Sequence, residues 1–235
     1  MSAINRLREQ LRDLADPVRA QNLARFFQTG PGQYGEGDRF YGIRVPHLRQ
    51  VAGRTELPTL DEAEHLLQSP IHEERFVALL LLIRLYRRKN PDLRAQVYRL
   101  YLRNTRFINN WDLVDTSAEH IVGAWLWDKD RSPLSDLARS PLLWERRIAV
   151  LATFHFIKKG DFSTTLALAG QLVHDPEDLI HKAVGWMLRE IGNRHRPTEE
   201  EFLRAHYRDM PRTALRYAIE KFPEPLRQAY LRGRI

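Results

Sequence analysis

The sequence predicts an all-α protein, and two patterns carry that prediction. Apolar residues recur at three- and four-residue steps, and no segment alternates convincingly with a period of two. Six residues that can cap a helix stand directly before a proline, which suits the first helical turn: Asp16-Pro17, Ser69-Pro70, Asn90-Pro91, Ser132-Pro133, Ser140-Pro141 and Asp175-Pro176. Two further starts, at Thr59 and Thr198, have a glutamate three residues on, as a capping box requires.

These signals place helices along nearly the whole chain, near residues 3–14, 17–27, 46–52, 60–68, 70–88, 91–104, 111–126, 133–139, 141–158, 163–173, 176–191, 199–208, 211–221 and 224–231. The connections are short and no composition break marks a linker, so we expect one domain over residues 1–235. The exception is segment 28–45, rich in glycine and aromatics, which we expect to be an ordered loop. It contains a literal G-x-G-x-x-G, but that motif follows a helix and not a strand, so a dinucleotide site is not expected.

The helix starts also repeat. Ser140-Pro141 and Asp175-Pro176 lie 35 residues apart (140 to 175), and similar segments follow three of the starts: Arg75-Phe76-Val77-Ala78, Arg147-Ile148-Ala149-Val150 and Lys182-Ala183-Val184-Gly185. The segment from Met210 to Leu215 resembles a degenerate fourth copy. Helical repeats of this length predict an α-solenoid. Stacked repeats would place equivalent basic residues along one concave wall as a stripe: Arg75, Arg147, Lys182 and Arg212. The alternative is that each basic residue pairs with a nearby acid, such as Glu73, Glu74 or Glu145.

Composition is that of a folded protein with a basic surface. The chain has 235 residues, 43% of them apolar and 29% charged, and a net charge of +7 that comes mostly from arginine. Arginine suits bidentate contact with phosphate, so a nucleic-acid partner is favoured. The absence of cysteine excludes disulfides, thiolate zinc sites and iron–sulfur clusters. The N-terminal segment lacks the apolar core of a signal peptide, and no apolar run is long enough to span a bilayer, so we expect a cytoplasmic protein.

The most informative stretch is Asn109-Asn110-Trp111-Asp112-Leu113-Val114-Asp115. Asn110 is a good N-cap, since its side-chain oxygen can accept from a first-turn amide. Trp111 and Asp115 are four residues apart, so the indole and the carboxylate share one face of the helix. An aromatic face beside a fixed carboxylate can stabilise a cation. The alternative is that Trp111 is a core residue and Asp115 only a first-turn helix anion.

Other catalytic motifs find little support. His72-Glu73-Glu74-Arg75-Phe76 lacks the second histidine of a zinc-binding H-E-x-x-H helix, and neither a phosphate-binding loop nor a G-x-S-x-G elbow is present. Gly185, beside Trp186, costs helix stability and therefore indicates close approach by another helix or a ligand. We expect the remaining tryptophans, at 125, 127 and 144, to be packing residues. The candidate constellation is Trp111, Asp115, Arg147 and Trp186.

Five motifs, in this order along the chain, resemble the DNA alkylation repair (AlkD-like) family of HEAT-like-repeat DNA glycosylases: YGEGDRFYGIRVPHLRQ, NNWDLVD, WERRIAVLA, HKAVGWMLRE and MPRTALRYAIEKF. The resemblance covers about residues 17–225. It implies a C-shaped superhelix whose positive concave face binds duplex DNA as a monomer. It also implies hydrolysis of the N-glycosidic bond of cationic N3- and N7-alkylated purines, without metal or other cofactor and without deep base flipping.

The resemblance assigns roles residue by residue. The two cleft tryptophans of the family fall on Trp111 and Trp186, its catalytic aspartate on Asp115 and its phosphate-binding arginine on Arg147. One departure is Phe26, which takes the place of a cleft tyrosine found in some active relatives. Two other interpretations remain open: a non-catalytic protein that binds DNA structure, and a protein-binding solenoid whose basic face meets an acidic partner. The presence of both Trp111 and Asp115 favours the enzyme over each.

Overall fold

A computed structural model describes residues 3–235 and confirms the all-α prediction. The helices are α1 (Ala3–Asp13), α2 (Pro17–Phe26), α3 (Val45–Arg54), α4 (Leu60–Leu67), α5 (His72–Tyr86), α6 (Pro91–Arg103), α7 (Trp111–Ala118), α8 (Ala124–Leu126), α9 (Ser132–Ala138), α10 (Leu143–Ala152), α11 (Phe154–Ile157), α12 (Ser163–Gln171), α13 (Asp178–His206), α14 (Arg212–Ala218) and α15 (Glu224–Leu231). Over the described residues no strand forms, and one isolated bridge joins Arg39 to Ile71.

The residues divide into two compact units, the first ending at Ser117 and the second beginning at Ala118. In the first unit α5 packs against α3, α4 and α6 and buries 13 of its 15 residues. In the second unit α10 packs against α9 and α13, and α13 packs against α12 and α14. This stacking of successive helices is that of an α-solenoid, whereas the prediction of one domain over 1–235 stays a prediction.

The caps explain where several helices begin. Asp16 and Asn90 accept from the amides of Arg19 and Leu93, as predicted, and Thr59 forms a complete capping box with Glu62. The prediction was wrong at Ser132, which is the first residue of α9 and forms no cap. It was also wrong at Ser69, Ser140 and Asp175, where the helix begins three residues after the predicted cap. Each of these side chains accepts from the amide two positions on, at Ile71, Leu142 and Glu177 respectively. They therefore close a turn that precedes the helix.

Two other differences concern long helical segments. The predicted helix 111–126 contains a π-helical turn, Glu119–Gly123, where a Cβ on Gly123 would meet the carbonyl oxygen of Ala152 at 2.0 Å. The predicted break before Thr198 is a kink at His195 inside α13. Thr198 lies inside α13 and does not begin a separate helix, and its hydroxyl bonds the ring of His195.

Segment 28–45 is an ordered loop, as predicted. Gly32, Gly37 and Gly42 have positive φ, and the amide of His72 donates to the Arg39 carbonyl at 2.8 Å. The amides of the G-x-G-x-x-G glycines bond acceptors within the loop itself: Gly30 to Gln33, Gly32 to Glu36 and Gly35 to Gln28. The motif is therefore not a phosphate cradle in this structure.

Candidate functional site

Helix α7 presents Trp111 and Asp115 away from the core. Leu113 and Val114 are fully buried, whereas Trp111 and Asp115 are partly exposed. The amide of Trp111 donates to the buried side-chain oxygen of Asn110 at 2.8 Å, which confirms the predicted cap. Asp112 is the acid of the first turn, and Asp115 is the fifth residue of the helix. The interpretation of Asp115 as a first-turn anion therefore fits Asp112 better.

Two aromatic side chains at the end of α2 pack against Trp111. Its ring stacks on Phe27 with centroids 5.4 Å apart, and the edge of Phe26 approaches at 6.0 Å. Phe27 is buried, whereas Phe26 is 61% exposed. Phe27 also stacks on Phe40, at 5.4 Å. Packing thus fixes one face of the indole beside an exposed aromatic ring.

The first turn of α5 connects this aromatic cluster to loop 28–45. Its four charged residues, His72, Glu73, Glu74 and Arg75, are each at most 3% exposed. Glu73 accepts from the amides of Tyr41, Gly42 and Ile43 at 3.0, 2.8 and 3.2 Å. Glu74 accepts from the Tyr41 hydroxyl at 2.9 Å and from Arg8 at 3.0 Å. Buried charges need such partners, so this turn organises the loop.

His72 lies between two carboxylates. Its Nδ1 is 3.1 Å from Asp38 Oδ2 and its Nε2 is 2.8 Å from Asp112 Oδ2. Arg75 Nη2 donates to Asp38 Oδ1 at 2.6 Å. Burial lowers the pKa of His72, but its hydrogen bond and attraction to Asp112 and its hydrogen bond to Asp38 outweigh burial and raise the pKa to about 9. We refer to His72, Asp38, Asp112 and Arg75 as the His72 network.

In the second unit, Trp186 lies on α13. Its indole N–H donates to Glu190 Oε1 at 3.3 Å, and Arg194 donates to Glu190 Oε2 at 2.8 Å. Phe154 packs against Trp186 with centroids 6.0 Å apart and lies beneath the ammonium of Lys158, 4.1 Å from its centroid. Trp186 is partly exposed, and the basic residues beside it are paired with acids, Arg194 with Glu190 and Lys158 with Glu119.

Gly185 permits the close helix packing beside this tryptophan. A Cβ at Gly185 would lie 2.4 Å from the carbonyl oxygen of Ala214, on α14. The glycine is therefore needed for approach by another helix, one of the two reasons that the sequence suggested.

The other predicted DNA contacts differ in exposure. Arg147, on α10, is 4% exposed and donates from Nη1 to the Leu179 carbonyl at 2.5 Å. The hydrogen bond of Lys182 to Asp178, 2.8 Å long, raises the pKa of the lysine, and the positive charge of Arg147 lowers it by a smaller amount. Arg212 is exposed and donates to the Leu231 carbonyl at 2.9 Å. The structure thus places Arg147 and Lys182 within range of each other's charge, and it places Arg212 against the end of α15.

The structure shows that the equivalent residues of the repeats differ by one position from those predicted from the sequence. Arg75 and Arg146 each donate from Nη1 to the carbonyl of the serine six residues before them, at 3.0 Å in both cases. His181 Nε2 lies 2.5 Å from the carbonyl of Asp175, again six residues before. Arg75 is therefore the counterpart of Arg146 and His181, and not of Arg147 and Lys182 as the sequence alignment predicted. Arg75 is buried and pairs with the buried carboxylate of Asp38. This is the result expected if the basic residues pair with acids and do not form a stripe.

None of the helices formed by residues 3–235 is long and apolar enough to cross a membrane. Within residues 3–235 no cluster of three or more histidine, aspartate or glutamate side chains is arranged to bind a metal ion.

Comparison with known proteins places the chain in a family. A solved structure described as a predicted DNA alkylation repair enzyme from Enterococcus faecalis superposes with a TM-score of 0.67 at 17% identity and covers 89% of this chain and 97% of its own. This likeness shows a shared fold. A search of the curated proteins finds no match. The family model described as DNA alkylation repair enzyme matches residues 7–222, so the chain belongs to the DNA alkylation repair enzyme family.

Proposed function

We propose that the protein is a DNA glycosylase that hydrolyses the N-glycosidic bond of cationic N3- and N7-alkylated purines in duplex DNA. The observation that carries the proposal is the pair on α7, where a partly exposed indole and a partly exposed carboxylate lie one helical turn apart. Membership of a DNA alkylation repair enzyme family supports DNA as the partner. In this proposal Trp111, Asp115 and Trp186 act in excision, whereas Arg147, Lys182 and Arg212 contact phosphates.

The chemistry suits these residues. An alkylated purine is already positively charged, so its bond to C1′ breaks when the bonding electron pair moves to the base, which leaves as a neutral molecule. The sugar becomes an oxocarbenium ion, water adds to C1′, and a proton is released. The protein stabilises the cation and positions the water. Indole faces attract cations by roughly 0.5–2 kcal/mol each, and the Asp115 carboxylate stabilises the charge that develops in the transition state.

The test is single-turnover release of N7-methylguanine from duplex DNA by the wild type and by Asp115→Asn. The amide keeps the shape of the carboxylate without its charge, so we expect excision to slow by about 10²–10³ with duplex affinity nearly unchanged. Asp92→Asn is the matched control, because Asp92 is an exposed acid in the first turn of α6. A helix anion contributes only about 0.3–1 kcal/mol, so the control should melt slightly earlier and excise normally.

The same measurements separate the rival interpretations. Wild-type-like excision by Asp115→Asn would falsify the catalytic role of Asp115. A wild type that binds duplex DNA in a salt-dependent manner but releases no base would be a non-catalytic DNA-binding protein. An affinity for duplex that does not respond to salt would favour the protein-binding solenoid, since phosphate contacts release counterions.

A further inference from the structure

The His72 network lies where three parts of the first unit meet. His72 is the first residue of α5, Asp38 belongs to loop 28–45, and Asp112 is the second residue of α7, next to Trp111. The side chains of His72 and Asp38 are each 4% exposed, and that of Asp112 is 13% exposed. These contacts are therefore shielded from solvent and are stronger than surface ion pairs.

The partners of His72 determine its protonation state by geometry. A carboxylate only accepts hydrogen bonds, and here one carboxylate faces each ring nitrogen. Only the imidazolium can donate from both nitrogens at once. The groups that face the ring are Asp38, Asp112 and Arg75, and the two negative charges outweigh the positive one. Asp112 Oδ1 is buried without a hydrogen-bond partner among the described residues, and Asp112 Oδ2 bonds His72.

A second contact connects His72 to Trp111. The imidazole ring stacks on Phe40 at 4.8 Å and packs against Phe27 at 5.0 Å. Phe27 in turn stacks on Trp111 at 5.4 Å. A positively charged ring on aromatic faces is stabilised by the cation–π interaction. His72 therefore restrains Trp111 both through the backbone of Asp112 and through the ring of Phe27.

We propose that the imidazolium of His72 is a positioning residue that fixes the first turn of α7, and with it Trp111 and Asp115, for the proposed excision reaction. The inference rests on the proposed function. It assigns a role to loop 28–45, which supplies Asp38 to one side of the ring. His72 does not touch the substrate in this proposal. It acts through Asp112 and Phe27.

The experiment measures amide hydrogen exchange over residues 111–115 together with single-turnover excision of N7-methylguanine. In His72→Gln, one amide group cannot serve both carboxylates, so we expect exchange in this segment to rise about 10-fold or more. Excision should fall about 10- to 100-fold, with duplex affinity unchanged, because the reacting groups are displaced. His65→Gln, at an exposed position on α4, is the matched control and should behave as wild type.

Asp112→Asn is the second variant, because it removes one charge and keeps an acceptor for the ring N–H. After correction for the intrinsic exchange rate, exchange over residues 111–115 should accelerate as the pH rises through the His72 pKa. The acceleration should begin at lower pH in Asp112→Asn than in the wild type. A residue with a merely structural role would lower thermal stability without this shift.

The outcomes separate the two proposals. Exchange over 111–115 that stays as in the wild type in both variants overturns the positioning role. So does faster exchange in His72→Gln with excision at the wild-type rate. If the wild type itself releases no base, the proposed function fails, and the exchange measurements still decide whether His72 fixes α7.

Discussion

The surroundings of Trp111 and Trp186 show two ways of placing an indole at a surface. Trp111 begins a helix, and the turn that carries it is joined to α5 and the loop by the buried charges of the His72 network. Trp186 lies in the middle of α13, where a partly buried glutamate accepts from its N–H. The first arrangement depends on charges that are costly to leave unpaired, whereas the second depends on helix geometry and one ordinary hydrogen bond.

The two regions should therefore be sensitive to different changes. The region around Trp111 should respond to pH and to substitutions of charged residues as far away in sequence as Asp38. The region around Trp186 should respond to changes in helix packing, because Gly185 brings the backbone of α13 against α14. Substitutions of the same chemical kind should therefore have different effects in the two regions.

The largest expected effect is a loss of stability with rising pH. The pKa of His72 is raised from 6.5 to about 9, so its stabilising contribution is complete below pH 6.5 and is lost as the pH rises through about 9. The shift corresponds to at most about 3 kcal/mol of unfolding free energy. Chemical unfolding of wild type and His72→Gln, measured on both sides of this window, gives the contribution as the difference between the two curves. Parallel curves would contradict it.

A smaller effect, confined to the second unit, is expected from Gly185→Ala. The new Cβ would lie 2.4 Å from Ala214 O and 2.6 Å from Tyr217 Cβ, so α13 and α14 must move apart. We expect a loss of about 1–3 kcal/mol in unfolding free energy. Gly170→Ala, in α12, is the matched control: its Cβ meets no atom within 4 Å, and it should stabilise by about 0.5–1 kcal/mol. Equal effects at the two glycines would show that the close approach is not what requires Gly185.

The positions of the helices could be predicted because caps and apolar spacing are local signals. Thr59, Asp16 and Asn90 each bond an amide within their own first turn, so the sequence of a few residues determines the start. The helix starts predicted from Ser69, Ser140 and Asp175 lie three residues too early, because these side chains close a turn before the helix. A cap residue before proline indicates a start, but it does not choose between these two conformations.

The His72 network could not be predicted from local pattern, since its partners are remote in sequence. Asp38 lies in a loop without periodicity, 34 positions before His72, and Asp112 lies 40 positions after it. One signal was present: four charged residues stand directly before the apolar run from Phe76 to Ile83. Charges at the start of a helix this apolar must find partners when the helix is buried. The predicted match of Arg75 with Arg147 was wrong by one residue for the same reason. Both are arginines, but the contact that identifies the equivalent position, a bond to the carbonyl six residues earlier, is made by Arg146.

The smallest effect is expected at Glu190, whose carboxylate accepts from the Trp186 N–H. Glu190→Gln keeps an acceptor for the Trp186 N–H but removes the charge that pairs with Arg194. The side chains of Arg194 and Glu190 are 33% and 17% exposed, so we expect a change in unfolding free energy of at most about 0.5 kcal/mol. Glu190→Ala also loses the hydrogen bond and should cost about 1 kcal/mol.

Asp112→Asn, the same carboxylate-to-amide change beside Trp111, should cost more than either, because it leaves a buried imidazolium with one carboxylate fewer. Chemical unfolding of the three variants at neutral pH measures these differences. If Glu190→Gln costs as much as Asp112→Asn, charge and not the hydrogen bond positions Trp186, and the two regions do not differ in the way described.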